Sequence, residues 1–316
     1  MQHIPAGEPQ ILIDLSTAII GADDGAFQCR MVDDGADMQA SRLPFGPFVP
    51  EQHRTMEIGL RQWVTEQVGV DLGHVEQLYT FADRGRHDIN AGAPHVVSVG
   101  YLALTNQANR QPPAWRDIYA FFPWEDWRDG EPAMLKSVMY PALDAWVCEK
   151  PERRERVRLA FGRDGLAWGE EYVLERYELL YEAGLIAEAV SDGRASALPA
   201  TPIPGLALQL DHRRILATAI GRLRAKLKYR PVIFDLMPTT FTLTRLQHTA
   251  ETVLGATLHK QNFRRLVEKS GFLEATGTMS QSRGRPAELF RFRHQEPSER
   301  PLAGLRVSPG RSRQAD

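Results

Sequence analysis

The stretch from Lys226 to Phe292 constrains this 316-residue chain more than any other. It reads KLKYRPVIFDLMPTTFTLTRLQHTAETVLGATLHKQNFRRLVEKSGFLEATGTMSQSRGRPAELFRF, and its punctuation spells helix, turn, helix, then two short strands. Pro238 closes the preceding segment, and Thr242 stands as an N-cap before an amphipathic run. Leu243, Leu246, Val253 and Leu254 recur at helical spacing, and Gly255 supplies the stop. A second helix is predicted from about His259 to Lys269. Its apolar side is Phe263, Leu266 and Val267, while Asn262, Arg265 and Lys269 share the opposite side. After Gly271 the period changes, and strands are predicted over Phe272–Thr278 and Ala287–Phe292 around the basic tip Ser280–Pro286. This is the order of a winged helix-turn-helix, a module suited to placing its second helix in the major groove; a basic helical hairpin with a solvated loop is the plainer alternative.

Charge is divided along the chain. From Asp211 to Asp316 there are 20 Lys+Arg against 9 Asp+Glu, a net of +11, while residues 1–210 carry a net of −13. A basic C-terminal block favours phosphates and predicts salt-sensitive binding. No apolar run approaches the roughly 20 residues of a membrane helix. The N-terminus has no basic region followed by an apolar run, so a cytoplasmic protein is expected. Cys29 and Cys148 make neither a disulfide framework nor a zinc site.

The remainder divides by pattern. Strands are expected at 10–20, 26–32, 75–81 and 95–104, with a helix from about Thr55 to Val68. The strand at 95–104 is nearly all apolar, as in one buried on both faces. Residues 115–128 are rich in aromatics, 131–190 read as helical, and 191–205 have linker composition. The expected fold class is α+β, with a sandwich over 1–130, a helical extension and linker over 131–205, and a winged helix over 206–294. The Arg-, Pro- and Ser-rich residues 295–316 are expected to be a disordered tail.

The run LPFGPFVPEQHRTMEIGLRQWVTEQVGV (43–70) resembles a degraded Nudix box, in which a helix carries carboxylates that hold Mg²⁺ against a diphosphate. Aligned on Gly69, the Arg-Glu pair of that motif is replaced by Gln62-Trp63, the Glu-Glu pair by Glu66-Gln67, and an earlier glutamate by Arg54. One carboxylate cannot assemble a site in which several must hold the metals, so no catalytic residue and no metal are assigned. Two other readings of this half stand beside that one. Glu57, Asp83 or Asp88 serve as replacement carboxylates in one, and in the other Met56, Leu60 and Val64 simply pack and the helix binds nothing.

LYTFADR (78–84), VVSVGYLAL (96–104), KLKYRPVIFDLMP, FTLTRLQ, NFRR, and GRP before LFRF together resemble the Nudix-related transcriptional regulators of bacterial NAD metabolism. That resemblance implies a Nudix-like α/β/α sandwich serving as a sensor ahead of the winged helix. It also implies a homodimeric repressor on a palindromic double-stranded operator, with ADP-ribose or a related nucleotide as effector and no required cofactor.

Candidate residues follow for both sites. Asn262 and Arg265 are placed at base edges, since Asn suits adenine and Arg suits guanine. Lys260, Arg264 and Thr242 are candidate phosphate contacts, and Arg283 and Arg285 belong to the wing. For a nucleotide, His53-Arg54 put cations at a helix start, where they oppose the dipole unless an anion intervenes, so Arg54 is expected to meet a diphosphate. Glu66, Arg84 and Arg86 are further candidates, with Tyr79 and Trp124 for stacking on adenine. Against these stand an ion-paired surface loop for the two arginines and a core role for the two aromatics. A hydrolase with a basic accessory domain and a winged helix used for protein association are the competing readings.

Overall fold

The computed structural model describes residues 11–23, 25–32, 41–70, 72–83, 94–106, 114–280 and 286–293. At its centre is a six-stranded mixed sheet. It contains β1 (Ile11–Asp23), β2 (Ala26–Arg30), β3 (Phe45–Pro47), β4 (Val75–Phe81), β5 (His95–Leu104) and β6 (Trp115–Asp117) in the order β4-β5-β1-β2-β6. β1 runs parallel to β5 along one edge. Its other edge is shared, with Asp14–Ser16 pairing β3 and Ile20–Asp23 pairing β2.

Alternation along the strands decides the layers, because successive side chains point to opposite faces. Leu15 and Ile19 of β1, with Val99, Tyr101 and Ala103 of β5, pack on one face against Leu60 and Val64 of α1 (Met56–Val68). On the other face Ser16 meets His212, and a side chain at Gly100 would run into Ile215. Both contacts belong to α7 (His212–Leu227), which forms the second layer. The sequence reading assigns no element there, although Ile215, Leu216, Ala219, Ile220, Leu223 and Leu227 fall at helical spacing and are all buried. It also counts this segment with the winged helix, whereas it lies across the sheet.

In chain order, between β6 and α7, a helical block is built. α2 (Ile118–Phe121) and a 3₁₀ turn at Pro123–Glu125 carry the aromatic run into the core. A π turn at Leu135–Met139 leads into α3 (Tyr140–Val147), followed by α4 (Pro151–Ala160), α5 (Val173–Glu182) and α6 (Ala187–Ser191). The winged helix comprises α8 (Leu243–Leu254), α9 (Lys260–Ser270) and the antiparallel pair β7 (Leu273–Met279) and β8 (Glu288–Phe292). One continuous core joins all three parts, running from Ile20 and Phe27 through Phe122 and Tyr177 to Leu223, Val253 and Phe263.

The charge division is largely consumed inside the molecule. Arg213 pairs with Glu188, Arg214 with Glu178 and Asp83, Arg224 with Glu125, Lys226 with Glu76, and Lys228 with Glu171. These cations belong to the basic block read as phosphate-seeking, yet they neutralise carboxylates of the acidic half. Among the described residues of the winged helix, Lys260, Arg265 and Lys269 are exposed and supply a positive field for a polyanion.

Candidate nucleic-acid interface and sensor site

The winged helix is capped as its sequence predicts. Thr242 Oγ1 accepts from the Arg245 N–H at 3.2 Å, and Gly255 adopts φ 66° at the other end of α8. The turn to α9 is held by Glu251, whose carboxylate accepts from the Leu258 N–H at 2.9 Å and from Gln247 Nε2 at 2.9 Å. Phe263 and Val267 anchor α9 in the core, at 2% and 0% exposure. Asn262, Arg265 and Lys269 are exposed together on the outer face, and Lys260 is exposed in the first turn. Arg264 is half-buried along the flank, with its Nε out of contact with solvent.

β7 and β8 approach their turn at Ser280, whose N–H donates to the Ala287 carbonyl at 2.7 Å. Pro286 is exposed at the exit of this turn. Arg283 and Arg285, expected at its tip, lie outside the described residues. Phe234 stacks on Phe292 with ring centroids 4.4 Å apart, and Phe241 bridges to Phe290, so the wing is fastened to the chain entering α8.

The Nudix-like helix α1 has lost the chemistry of its pattern to packing. Trp63 Nε1 donates to the Pro47 carbonyl at 3.1 Å, and its ring lies where any side chain at Gly46 would stand. Gln67 accepts from the Phe45 N–H at 3.1 Å and donates back to the Phe45 carbonyl. Two positions at which the motif expects metal-holding glutamates therefore hold β3 in place. Glu66 accepts from Gln62 Nε2 at 2.8 Å, and Glu57 is paired with Arg61. Asp83, a replacement carboxylate in the competing reading, is bound to Arg214, and Asp88 lies outside the described residues. Among the described residues no cluster of His, Cys, Asp and Glu is able to hold a metal ion, so these side chains do not fit a Mg²⁺ site.

At the start of α1 the expected cation pair reduces to Arg54. His53 is 1% exposed, its Nδ1 accepts from the Val49 N–H at 3.1 Å, and its ring packs between Phe48 and Trp63. It is therefore a buried packing group. Arg54 is exposed just before the N-cap Thr55.

Of the remaining nucleotide candidates, Tyr79 and Trp124 do not converge with it. Tyr79 is 52% exposed but lies beneath the Arg222 guanidinium, on the α7 side of the sheet. Trp124 has no exposed surface and packs against Phe122 and Arg213, so as a stacking platform it is corrected to a core residue. Arg84 and Arg86 lie outside the described residues.

One constellation escaped the sequence reading. Glu125, Arg176 and Arg224 form a fully buried ionic cluster, with Arg176 Nε 2.6 Å and Arg224 Nη1 2.7 Å from the carboxylate. Burial pushes the Glu125 carboxyl up, but the two guanidiniums outweigh it and hold it below the usual range. A glutamate inside the aromatic run FFPWEDW was the available signal, since a charge there demands a partner.

The fold thus defines a class, a Nudix-like sandwich carrying a winged helix. Residues 233–292 match the family model of the NrtR DNA-binding winged helix domain, and this module of the chain is of that type. Over 91 residues the chain is 42% identical to the "ADPR responsive transcriptional repressor NtrR" of Acinetobacter baylyi, a match spanning 29% of this chain and 36% of that relative. The match therefore covers about a third of the curated relative's length. Two solved structures have the same fold with a TM-score of 0.51. One is Shewanella oneidensis NrtR complexed with a 27mer DNA, 20% identical, covering 89% of this chain and 93% of its own. The other is a MutT/nudix family protein from Enterococcus faecalis, 14% identical, covering 92% and 90% respectively. These findings support the Nudix-related regulator family to which the sequence is similar.

Proposed function

We propose that this chain is a DNA-binding transcriptional repressor of genes for NAD biosynthesis or salvage. Its sandwich binds an NAD-related nucleotide such as ADP-ribose without hydrolysing it, and that binding controls the winged helix. The observation that carries the reading is α9, which buries Phe263 and Val267 and presents Asn262, Arg265 and Lys269 outward in a module of the NrtR type. The relative named for an ADP-ribose response supports the effector, and the lost carboxylates of α1 support sensing over turnover. A repressor of this kind acts as a homodimer on a palindrome, in the cytoplasm, and no described helix is long and apolar enough to cross a membrane.

A nucleotide shifts DNA binding only if it prefers one arrangement of the two modules. The test is a gel shift on DNA upstream of NAD-biosynthesis genes, with excess nonspecific competitor and a titration of ADP-ribose and NAD. A competitor-resistant complex altered by one nucleotide is expected. Absence of any such complex, together with metal-dependent turnover of ADP-ribose, would replace this reading with a hydrolase.

A further inference from the structure

The last turn of α8 is capped by residues from outside the winged helix. The final carbonyls of a helix have no partner within it. Here Gly255 and Ala256 donate back only to Glu251. The Thr252 carbonyl accepts from the Tyr119 hydroxyl at 2.6 Å, and the Val253 carbonyl from Arg224 Nε at 2.9 Å. The carbonyl of Gly255 itself accepts from the Trp127 N–H at 2.7 Å. All three donors belong to the segment leaving the sheet edge or to α7.

Arg224 is the centre of this arrangement. Besides Val253 it donates to Glu125 Oε2 at 2.7 Å, to the Glu170 carbonyl at 3.1 Å, and to the Tyr119 hydroxyl and the Glu125 carbonyl at 3.3 Å each. Every N–H of the guanidinium is engaged, and its partners come from the 3₁₀ turn, α2, the approach to α5 and the end of α8. Arg176 shares the same carboxylate, donates to the Ala160 carbonyl at 2.7 Å and lies over Trp168 at 3.8 Å. Two buried cations thus face one carboxylate. The excess positive charge is met by the carbonyl ends of α4 and α8, where the helix dipoles are negative.

We infer that Arg224, held on Glu125, is the positioning residue that sets the attitude of α8, and with it α9, relative to the sandwich. Withdrawal of the winged helix would strand three carbonyls and leave the cluster's surplus charge without its dipole. The joint is therefore discrete and does not slide. A change at β6 or in the segment 119–128 reaches α8 at its C-terminal turn, directly before the turn into α9. The control of DNA binding by this route rests on the regulator reading above, while the mechanical joint does not.

Arg224→Met tests it in the full chain. This variant leaves Glu125 paired with Arg176, whereas Glu125→Gln would remove the carboxylate that both buried guanidiniums contact. In ligand-free hydrogen exchange, amides of 252–257 and of α9 should exchange about tenfold faster than in the wild type, with β1 and β5 unchanged. Arg224→Lys, which keeps the charge but not the fork, should show the same selective effect. Unaltered exchange in α8 and α9, or a uniform rise over the whole chain, overturns the joint. With operator DNA, saturating ADP-ribose should change wild-type affinity by about tenfold and that of Arg224→Met by less than about twofold. A folded Arg224→Met that keeps the full wild-type ratio also overturns the inference. If ADP-ribose leaves wild-type operator binding unchanged, the regulator reading fails instead, and the exchange experiment alone decides on the joint.

Discussion

Gly255 stands so close to the backbone carbonyl of Glu125 that no side chain fits between them. An added Cβ would collide with that oxygen and lie 2.8 Å from the Tyr119 hydroxyl and 3.0 Å from Arg224 Nη2, at a φ of 66° that L residues rarely adopt. Gly69 ends α1 with a similar φ of 61° but has nothing within 4 Å. Gly69→Ala should therefore cost about 1 kcal/mol from backbone strain alone. Gly255→Ala should cost about 3 kcal/mol or more, because strain and overpacking coincide. Denaturant unfolding of both variants separates the two terms, and equal losses would refute the contact.

Asp14 links pH to stability. Burial pushes its carboxyl up to about 6, against the weaker pull of the Leu15 N–H and the Ser16 hydroxyl. The folded state thus holds this proton more tightly than the unfolded chain, whose aspartate titrates near pH 4. The cost of ionising Asp14 is absent below about pH 4, grows as pH rises towards 6, and is constant above, on the order of 3 kcal/mol. Asp14→Asn should accordingly raise the melting temperature at neutral pH and lose that advantage as the pH is lowered towards about 4. An advantage independent of pH would mean that the carboxylate is not the cause.

The outer face of α9 separates recognition from attraction. Arg265→Ala should relax sequence preference and cost about 1–3 kcal/mol on the operator, with little change on random DNA. Lys260→Ala should weaken all sequences alike and flatten the plot of log affinity against log salt by about 1. Competition binding across a salt series reads both, and identical profiles for the two variants would remove the assignment.

Arg54 is the one exposed cation at the start of α1 and is our proposed contact for the diphosphate. Arg54→Ala should weaken ADP-ribose binding by about tenfold in titration calorimetry, the loss of one charge-assisted hydrogen bond. Unchanged affinity would direct the search to another part of the sandwich.

Features set by neighbours in the chain were legible in the sequence. The caps Thr242 and Gly255, the apolar stripe of α9 and the strands at 75–81 and 95–104 all depend on local spacing, and they stand where expected. The stretch 131–190 is helical but divides into short helices, since Pro151 and the glycines at 162, 165 and 169 interrupt it. Pairings between distant residues were not legible. Lys226 meets Glu76 across 150 positions and Arg224 meets Glu125 across 99, so a basic run that looks solvent-facing turns inward. The same limit hid Trp63 and Gln67, whose partners in β3 turn two failed metal positions into structural ones. It also hid the separation of Tyr79 and Trp124 from Arg54, because their placement depends on which face of the sheet α7 covers.

The position of α7 has a consequence for how such chains can be taken apart. The second layer of the sandwich is written in the gene after the linker, next to the winged helix. A cut at residue 205 would leave the sheet with one face uncovered, and the C-terminal fragment with a helix whose apolar side has lost its sheet. The two modules are interleaved, and even a crossover beyond Leu227 would cut the contacts of Tyr119, Trp127 and Arg224 with the end of α8, so neither exchanges between relatives as a simple cassette.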